Sequence, residues 1–262
     1  MKIAIIGCGV MGSAFARHFA KKHPVILCDH TFEKAQQLAL ELGGEAVKTP
    51  TEAVRNSEVI VLAIKPKNLP EFARESEKSF NPDHLLISIL AGTSVERLKK
   101  FINRPLIIRA MPNLALTCGK GVIGFVKTNE VTSEVREKID ELLGGLGSLP
   151  WMSEEKLEAL SALAGSGPAF IFLLIEALMD GGVYLGFSGQ EARDFVLQTV
   201  EGAVALLKET GKHPAELKGK ITSPGGTTIA GLKVLEETGV RGVLMNTLIA
   251  TFEKAKNEKS VG

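Results

Sequence analysis

The chain has 262 residues, of which 45% are hydrophobic and 23% are charged, and its formal net charge is +1. This length allows one large domain or two moderate ones with a buried core. Lysines and arginines are scattered along the chain, so charge provides no basis for binding nucleic acid or a charged membrane surface.

Three widely spaced cysteines, Cys8, Cys28 and Cys118, are too few for a disulfide framework or a zinc ribbon, so no metal site is expected. The longest apolar stretch, Pro168–Ile175, is interrupted by Glu176 and is too short to span a membrane. We therefore expect a soluble protein of the reducing cytoplasm, in which Cys8 and Cys28 are small buried residues.

The first part of the chain alternates short apolar runs with helical patterns. Strands are predicted at Lys2–Ile6, Val25–Cys28, Glu58–Ile64, Leu85–Leu90, Leu106–Ala110, Val122–Val126 and Leu149–Met152. Helices are predicted at Met11–Lys22, from a cap at Thr31 to Leu42, and at Leu69–Ser79, Val95–Ile102 and Ser133–Leu143. Strands that are apolar on both faces and alternate with helices indicate an α/β domain with a mostly parallel sheet.

The pattern changes after Trp151. Ser153 is a good helix start, and no strand is predicted from there to the C-terminus. We therefore place a boundary between an α/β domain of residues 1–152 and an all-helical domain of residues 153–262. Its helices are predicted at Glu154–Leu163, Pro168–Tyr184, Gly189–Thr210, His213–Lys220, Thr227–Glu237 and Val240–Lys256.

A glycine-rich motif, Gly7-Cys8-Gly9-Val10-Met11-Gly12, follows the first predicted strand and precedes the first helix. In that position the motif is the dinucleotide-binding fingerprint of a Rossmann domain rather than an ordinary turn. Gly7 allows the tight turn, Gly9 lets the backbone approach a pyrophosphate, and Gly12 permits close packing of helix on strand. The whole stretch, including Val10 and Met11, is predicted to bind NAD(P).

Asp29 ends the second predicted strand, where a carboxylate can accept hydrogen bonds from the adenosine ribose of NAD. His30 and Thr31 follow directly and could instead hold the 2′-phosphate of NADP. Asp29 favours NADH, the His-Thr pair leaves NADPH open, and the sequence does not decide between them.

More cofactor contacts are predicted where later strands end, because ligands bind at the carboxyl edge of an open α/β sheet. These residues are Ala63, Lys65, Pro66, Ala91 and Gly92. From its position alone, Lys65 is equally well explained as a surface lysine.

A second motif, Thr222-Ser223-Pro224-Gly225-Gly226-Thr227-Thr228, opens the helix that runs to Glu237. Two glycines free the backbone to turn its N–H groups inward, and the helix adds the positive end of its dipole. Together they predict a site for a small anion such as a carboxylate. A plain helix–helix turn is the alternative, but two glycines followed by two threonines exceed what a turn requires.

Five blocks follow in order along the chain: Gly7–Gly12, Ala63–Pro66, Arg109–Asn113, Gly165–Ala169, and Ser223–Thr228 with its continuation to Leu232. In these blocks the chain resembles the pyrroline-5-carboxylate reductase family over essentially its whole length. The resemblance implies reduction of L-1-pyrroline-5-carboxylate to L-proline by NADH or NADPH. It also implies a Rossmann domain followed by an all-helical dimerisation domain, with the substrate near the interface of a homodimer.

The resemblance also implies roles for single residues. The substrate carboxylate and ring are held by Ser223, Gly225, Gly226, Thr227 and Thr228, and Asn113 is a cofactor contact. Thr228 is placed near the ring nitrogen. The chain offers no obvious general acid, so positioning is expected to carry most of the rate, with Thr228 orienting first and relaying a proton second.

One departure from the family pattern follows Asn113, where Leu114-Ala115 stand in place of the usual Thr-Pro. A hydroxyl and a rigid proline are therefore missing beside the expected nicotinamide pocket.

The Gly165–Pro168 stretch is either a simple helix breaker or part of the substrate pocket.

Other functions are weighed against this one. A β-hydroxyacid dehydrogenase also joins a Rossmann domain to a helical one, but generally carries a lysine on the first long helix of the helical domain, and Ala159–Asp180 contains none. A non-catalytic NAD(P) sensor and another imine reductase are the remaining alternatives.

Leucine- and valine-rich helices in the second domain favour a homodimer over a lone domain. Their apolar residues are Val196, Leu197, Val200, Val204, Leu207, Val243, Leu244, Leu248 and Ile249.

Overall fold

A computed structural model describes residues 1–260, with side chains to residue 256. The chain forms two compact units. The first contains residues 1–166 and the end of the last helix from Phe252, and the second is Gly167–Thr251.

The first unit is built on a nine-stranded sheet. Its strands are β1 (Ile3–Ile6), β2 (Val25–Cys28), β3 (Glu45–Ala46), β4 (Val59–Leu62), β5 (Leu85–Ser88), β6 (Leu106–Pro112), β7 (Gly121–Val126), β8 (Gly147–Ser148) and β9 (Trp151–Met152). The order is β3-β2-β1-β4-β5-β6-β7-β8, with β9 paired to β7. Strands β1 to β6 pair in parallel and β7 runs antiparallel to β6. Parallel order 3-2-1-4-5-6 is that of a Rossmann domain, which confirms the predicted fold class.

Helices cover both faces of the sheet. They are α1 (Val10–Phe19), α2 (Phe32–Leu42), α3 (Pro50–Arg55), α4 (Leu69–Ser76), α5 (Val95–Phe101), α6 (Ser133–Leu143) and α7 (Glu154–Leu160). Alternate residues of β1 enter two separate cores. Ile3 and Ile5 pack in the core that contains Phe15 of α1, and Ile6 packs in the core that contains Phe72 of α4. Burial on both faces explains why the strands are continuously apolar.

Several short elements lie outside the predicted set, namely β3, β8 and α3. A Thr-Pro start marks α3, because the Thr49 hydroxyl accepts a hydrogen bond from the Glu52 N–H and Pro50 occupies the first turn. The predicted cap position at Thr31 is confirmed, but the prediction of a cap by its side chain is wrong. Thr31 is the N-cap residue of α2, but among the described residues its hydroxyl caps no N–H of that helix and lies 3.3 Å from His30 Nε2.

Helix α7 belongs to the first unit. Leu157 is fully buried and packs in a small core with Val95 and Val126. The compact unit therefore continues to Ser166, beyond the boundary expected near Ser153.

After α7 the helix widens into a π-helical turn, Ser161–Gly165, which is called the π-turn below. Its signature is a hydrogen bond of 3.1 Å from the Ser166 N–H to the Ser161 carbonyl, five residues back.

Helices form the second unit, as predicted. They are α8 (Gly167–Tyr184), α9 (Gly189–Thr210), α10 (Pro214–Ile221), α11 (Thr227–Glu237) and α12 (Val240–Ser260), the last of which ends in the first unit. In the described part of the chain no strand follows Met152.

The second unit has almost no core of its own. Ala192 is its one buried residue among those that the structure describes. Many large apolar side chains are exposed instead; they include Ile171, Phe172, Leu173, Leu178, Tyr184, Leu185, Val243, Met245 and Ile249. A unit with so much exposed apolar surface requires cover from another molecule.

One helical stretch is longer than the apolar run Pro168–Ile175 considered above. Glu154–Tyr184, 31 residues long, is long and apolar enough to cross a membrane by length and composition alone. It includes Glu176 and Asp180. Because its exposed side chains lie in the unit that lacks a core, a protein partner is an equally good cover for them.

Candidate active site

The glycine-rich turn after β1 is closely packed on two sides. Gly7 has a φ of +101°, and a Cβ there would lie 2.6 Å from the Ala63 carbonyl oxygen. A Cβ on Gly12 would lie 1.8 Å from the Gly7 carbonyl oxygen. At Gly9, the N-cap of α1, a Cβ would meet no heavy atom of the described chain within 4 Å. Open space beside a helix N-terminus fits a dinucleotide pyrophosphate.

Asp29 ties the end of β2 to this turn. Its carboxylate accepts hydrogen bonds from the Cys8 N–H at 2.7 Å and the Thr31 N–H at 2.9 Å, and contacts His30 Nδ1 at 3.0 Å. Burial opposes ionisation, but these hydrogen bonds outweigh it and hold the pKa of Asp29 below its ordinary value. The Asp29 side chain is only 9% exposed, whereas that of His30 is 84% exposed. His30 therefore faces solvent, and its contact with the adenosine ribose or a 2′-phosphate stays a prediction.

The other predicted cofactor residues lie at the same edge of the sheet. Lys65 and Pro66 are exposed after β4, and Ala91 and Gly92 form an exposed turn after β5, with φ of +65° at Gly92. In the glycine-rich stretch, Val10 is 69% exposed and Met11 is half-buried. The carboxyl ends of β1, β4 and β5 thus bring Lys65, Ala91 and the glycine-rich turn to one edge, as predicted.

Asn113 follows β6 at this edge, but its side chain has structural partners. It is 8% exposed, its Nδ2 donates to the Ala164 carbonyl at 3.0 Å, and its Oδ1 accepts from the Val122 N–H at 3.0 Å. Its role as a cofactor contact stays a prediction.

A buried ion-pair network near Asn113 was missed in the sequence. Arg109 of β6, whose side chain is 2% exposed, pairs with Glu154 at 2.7 Å and Glu158 at 2.6 Å, both on α7. Glu154 also accepts a hydrogen bond from the Val95 N–H at the start of α5. Two signals were present in the sequence: Arg109 lies in one of the five sequence blocks, and the glutamates at 154 and 158 share one helix face. The ion pairs between Arg109 and these glutamates could not be predicted from the sequence.

In the second unit, the predicted anion site lies at the N-terminus of α11. Gly225 has a φ of +68°, and Gly226 is the N-cap, with no side chain to occupy the first N–H groups of the helix. A Cβ on Gly226 would lie 2.3 Å from Ser223 Oγ, so the hydroxyl sits directly over this glycine. Thr227 is exposed and Thr228 is half-buried in the first turn. Helix α11 begins at Thr227, so the N–H groups of Thr227 and Thr228 have no acceptor within the helix, whereas the Gly226 N–H donates to the Ser223 carbonyl at 3.1 Å. Their role in binding a small carboxylate stays a prediction.

A Rossmann cradle with space for a pyrophosphate, followed by a helical unit with a glycine-rich loop at a helix N-terminus, is the arrangement of an NAD(P)-dependent oxidoreductase. Comparison with known proteins identifies the family. Residues 154–258 match the family model of pyrroline-5-carboxylate reductase dimerisation, and residues 2–92 match that of coenzyme F420-dependent NADP oxidoreductase. The chain is 40% identical to the pyrroline-5-carboxylate reductase of Aquifex aeolicus, over 98% of this chain and 97% of that protein. It belongs to the pyrroline-5-carboxylate reductase family.

Solved structures agree over the same length. The enzyme of Streptococcus pyogenes matches with a TM-score of 0.88 at 32% identity, covering 98% of each chain. That of Plasmodium falciparum, solved with NADP bound, matches with a TM-score of 0.88 at 27% identity, covering 98% of this chain and 97% of that one.

Proposed function

We propose that this chain is a pyrroline-5-carboxylate reductase, which reduces the C=N bond of L-1-pyrroline-5-carboxylate to give L-proline, the final step of proline biosynthesis. The observation that carries the proposal is the full-length match to this family in a chain that keeps the glycine cradle and the Ser223–Thr228 loop. The absence of lysine between Ala159 and Asp180 argues against alcohol oxidation.

NADH or NADPH, when bound, supplies the hydride. The turn from Gly7 to Gly12 binds the pyrophosphate with the N–H groups at the start of α1, for which Gly9 leaves room. Asp29, His30 and Thr31 bind the adenosine ribose or its 2′-phosphate. Lys65, Pro66, Ala91 and Gly92, with Ala63 behind the turn, border the remainder of the cofactor.

The loop before α11 binds the substrate in this proposal. Backbone N–H groups of Gly225, Thr227 and Thr228 hold the substrate carboxylate, and the Ser223 hydroxyl over Gly226 adds a polar contact. Thr228 Oγ1 orients the ring nitrogen and can pass a proton to it. A carboxylate fixed in this way leaves the imine ring few orientations, which is how positioning accelerates the reaction.

The proposal includes a homodimer in the cytoplasm. The match to the dimerisation family model covers the unit whose apolar side chains are exposed, and a second copy of that unit would bury them. On this view the exposed apolar side chains of α8, within the stretch Glu154–Tyr184, face the partner subunit rather than lipid.

The test is loss of NADH or NADPH absorbance on adding pyrroline-5-carboxylate to the purified protein, with proline identified as the product. We expect stoichiometric proline, and the ratio of the two values of kcat/KM gives the cofactor preference. Cofactor binding without turnover of this imine would contradict the proposal. In that case other cyclic imines and a sensor function would be tested next.

A further inference from the structure

Hydrogen bonds of the buried Asn113 side chain, called the clasp below, join the carboxyl edge of the sheet to the π-turn. Asn113, directly after β6, donates from Nδ2 to the Ala164 carbonyl within that turn. Its Oδ1 accepts from the Val122 N–H, and its own N–H donates to the Val122 carbonyl at 3.2 Å. Both ends of the amide are therefore occupied, so it cannot rotate without breaking a hydrogen bond in a buried position.

The sequence explains why the Ala164 carbonyl needs a donor from outside the helix. In an α-helix this carbonyl would accept from the N–H of residue 168, four residues later. Residue 168 is proline and has no N–H. Asn113 Nδ2 supplies that donor, 51 residues earlier in the chain.

The π-turn is also held from its N-terminal side. Arg109, four residues before Asn113, pairs with Glu154 and Glu158 of α7, the helix that leads into the turn. Gly165 lies beside Met111, since an added Cβ would be 3.7 Å from Met111 Cε, an ordinary van der Waals distance. Strand β6 and the residue that follows it therefore contact α7 and the π-turn through Arg109, Met111 and Asn113. π-Turns within helices occur frequently at functional sites.

We propose that Asn113 is a positioning residue, which fixes the π-turn and the Gly165-Ser166 backbone against the carboxyl edge of the sheet so that cofactor and substrate are aligned for hydride transfer. This inference rests on the proposed function. It assigns Asn113 a positioning role in place of the predicted cofactor contact, because its Nδ2 and its Oδ1 each bond a backbone group of the protein at 3.0 Å.

Three variants separate positioning from simple stability. Asn113→Asp keeps an oxygen for the Val122 N–H but removes the donor to Ala164. Asn81→Ala is the matched control, since Asn81 Oδ1 accepts from the N–H groups of Asp83 and His84 in the loop before β5, at the opposite edge of the sheet. Adding Pro168→Ala to Asn113→Asp returns an N–H within the helix for the Ala164 carbonyl.

We expect Asn113→Asp to lower kcat at least tenfold, with the dissociation constant for NAD(P)H changed less than threefold. The deuterium isotope effect with cofactor labelled at the transferred position should rise, because the hydride step becomes slower. Asn81→Ala should lower the melting temperature without changing kcat or the isotope effect. The Asn113→Asp, Pro168→Ala double variant should recover the melting temperature but not kcat.

Recovery of kcat together with the melting temperature in the double variant would overturn the inference, since Asn113 would then only satisfy a carbonyl. A large rise in the cofactor dissociation constant with kcat unchanged would also overturn it and make Asn113 a cofactor contact.

Hydrogen exchange of the wild-type protein and Asn113→Asp tests the clasp without turnover. The Ser166 amide should lose protection, and unchanged protection would show that the clasp does not hold the turn. A wild-type protein with a protected turn but no imine reduction contradicts the proposed function instead.

Discussion

Gly12 and Gly7 approach so closely that a Cβ on Gly12 would lie 1.8 Å from the carbonyl oxygen of Gly7. No side-chain rotation relieves this contact, because the atom it meets belongs to the backbone. The turn and helix α1 therefore depend on glycine at position 12 for folding itself, whereas Gly9 has open space around it.

This contrast gives the first prediction. Gly12→Ala should lower the free energy of unfolding by about 3 kcal/mol or more, because the helix must move away from the turn. Gly9→Ala, at a φ of −71°, should cost less than about 1 kcal/mol but weaken NAD(P)H binding, since its methyl group occupies the pyrophosphate space. Chemical denaturation and fluorescence titration of both variants give the two quantities. Equal losses of stability would contradict the distinction.

Asp29 should make stability depend on acid pH. Its carboxyl pKa lies below the ordinary value of 3.8, so the stabilisation is complete above that value and is lost as pH falls through the lower folded-state pKa. Asp29→Asn keeps one acceptor oxygen, but it loses the second acceptor and the negative charge that strengthens both hydrogen bonds, and should cost roughly 2 kcal/mol at pH 7. Melting temperatures of the wild-type protein and Asp29→Asn should converge as the pH is lowered below 3.8. A constant difference down to the acid limit would show that ionisation of Asp29 is not its source.

The same carboxylate should influence the choice of cofactor. Asp29→Ser removes the negative charge that repels a 2′-phosphate, so we expect the ratio of kcat/KM for NADPH to that for NADH to rise about tenfold or more. The comparison is made at constant ionic strength. An unchanged ratio would assign selection to His30 and Thr31.

Thr228→Ala should lower kcat by roughly 10- to 100-fold through loss of substrate orientation, with NAD(P)H affinity nearly unchanged. Thr238→Ala is the control at the other end of the same helix, because the Thr238 hydroxyl donates to the Val234 carbonyl of α11 and lies outside the substrate loop. Steady-state kinetics and cofactor titration measure both effects. Parallel loss of turnover and cofactor affinity in Thr228→Ala would remove its assigned role.

Thiol reactivity should single out Cys118. Burial, followed by the charge of Asp29, raises the pKa of Cys8 to about 12 and that of Cys28 to about 11. Cys118 is exposed. A thiol reagent at pH 8 should therefore label one cysteine in the native protein and three after denaturation. Rapid labelling of Cys8 without denaturant would show that the turn opens.

Much of this fold could be read from the sequence because long, strongly patterned segments determine their own structure. The observed bounds of Ser133–Leu143, Gly189–Thr210 and Thr227–Glu237 coincide with the predicted ones. Short elements did not carry enough residues for a periodic pattern, as for β3 with two. The Thr49-Pro50 start of α3 was a usable signal that went unrecognised.

The parts of the site that could not be read depend on contacts between distant residues. Arg109 pairs with Glu154, 45 residues later, and Asn113 donates to Ala164, 51 residues later. Neither spacing follows from local chemistry, although Pro168 shows from sequence alone that the Ala164 carbonyl has lost its helical donor.

The glycine-rich turn is held by Ala63 on one side, by Gly12 on another and by the Asp29 carboxylate on a third. A binding loop immobilised before its ligand arrives leaves little room for engineering. Redesign of cofactor preference should therefore leave residues 7–12 unaltered and begin at His30, whose side chain is 84% exposed. There a new charge can be introduced without disturbing the scaffold on which every other contact with the dinucleotide depends.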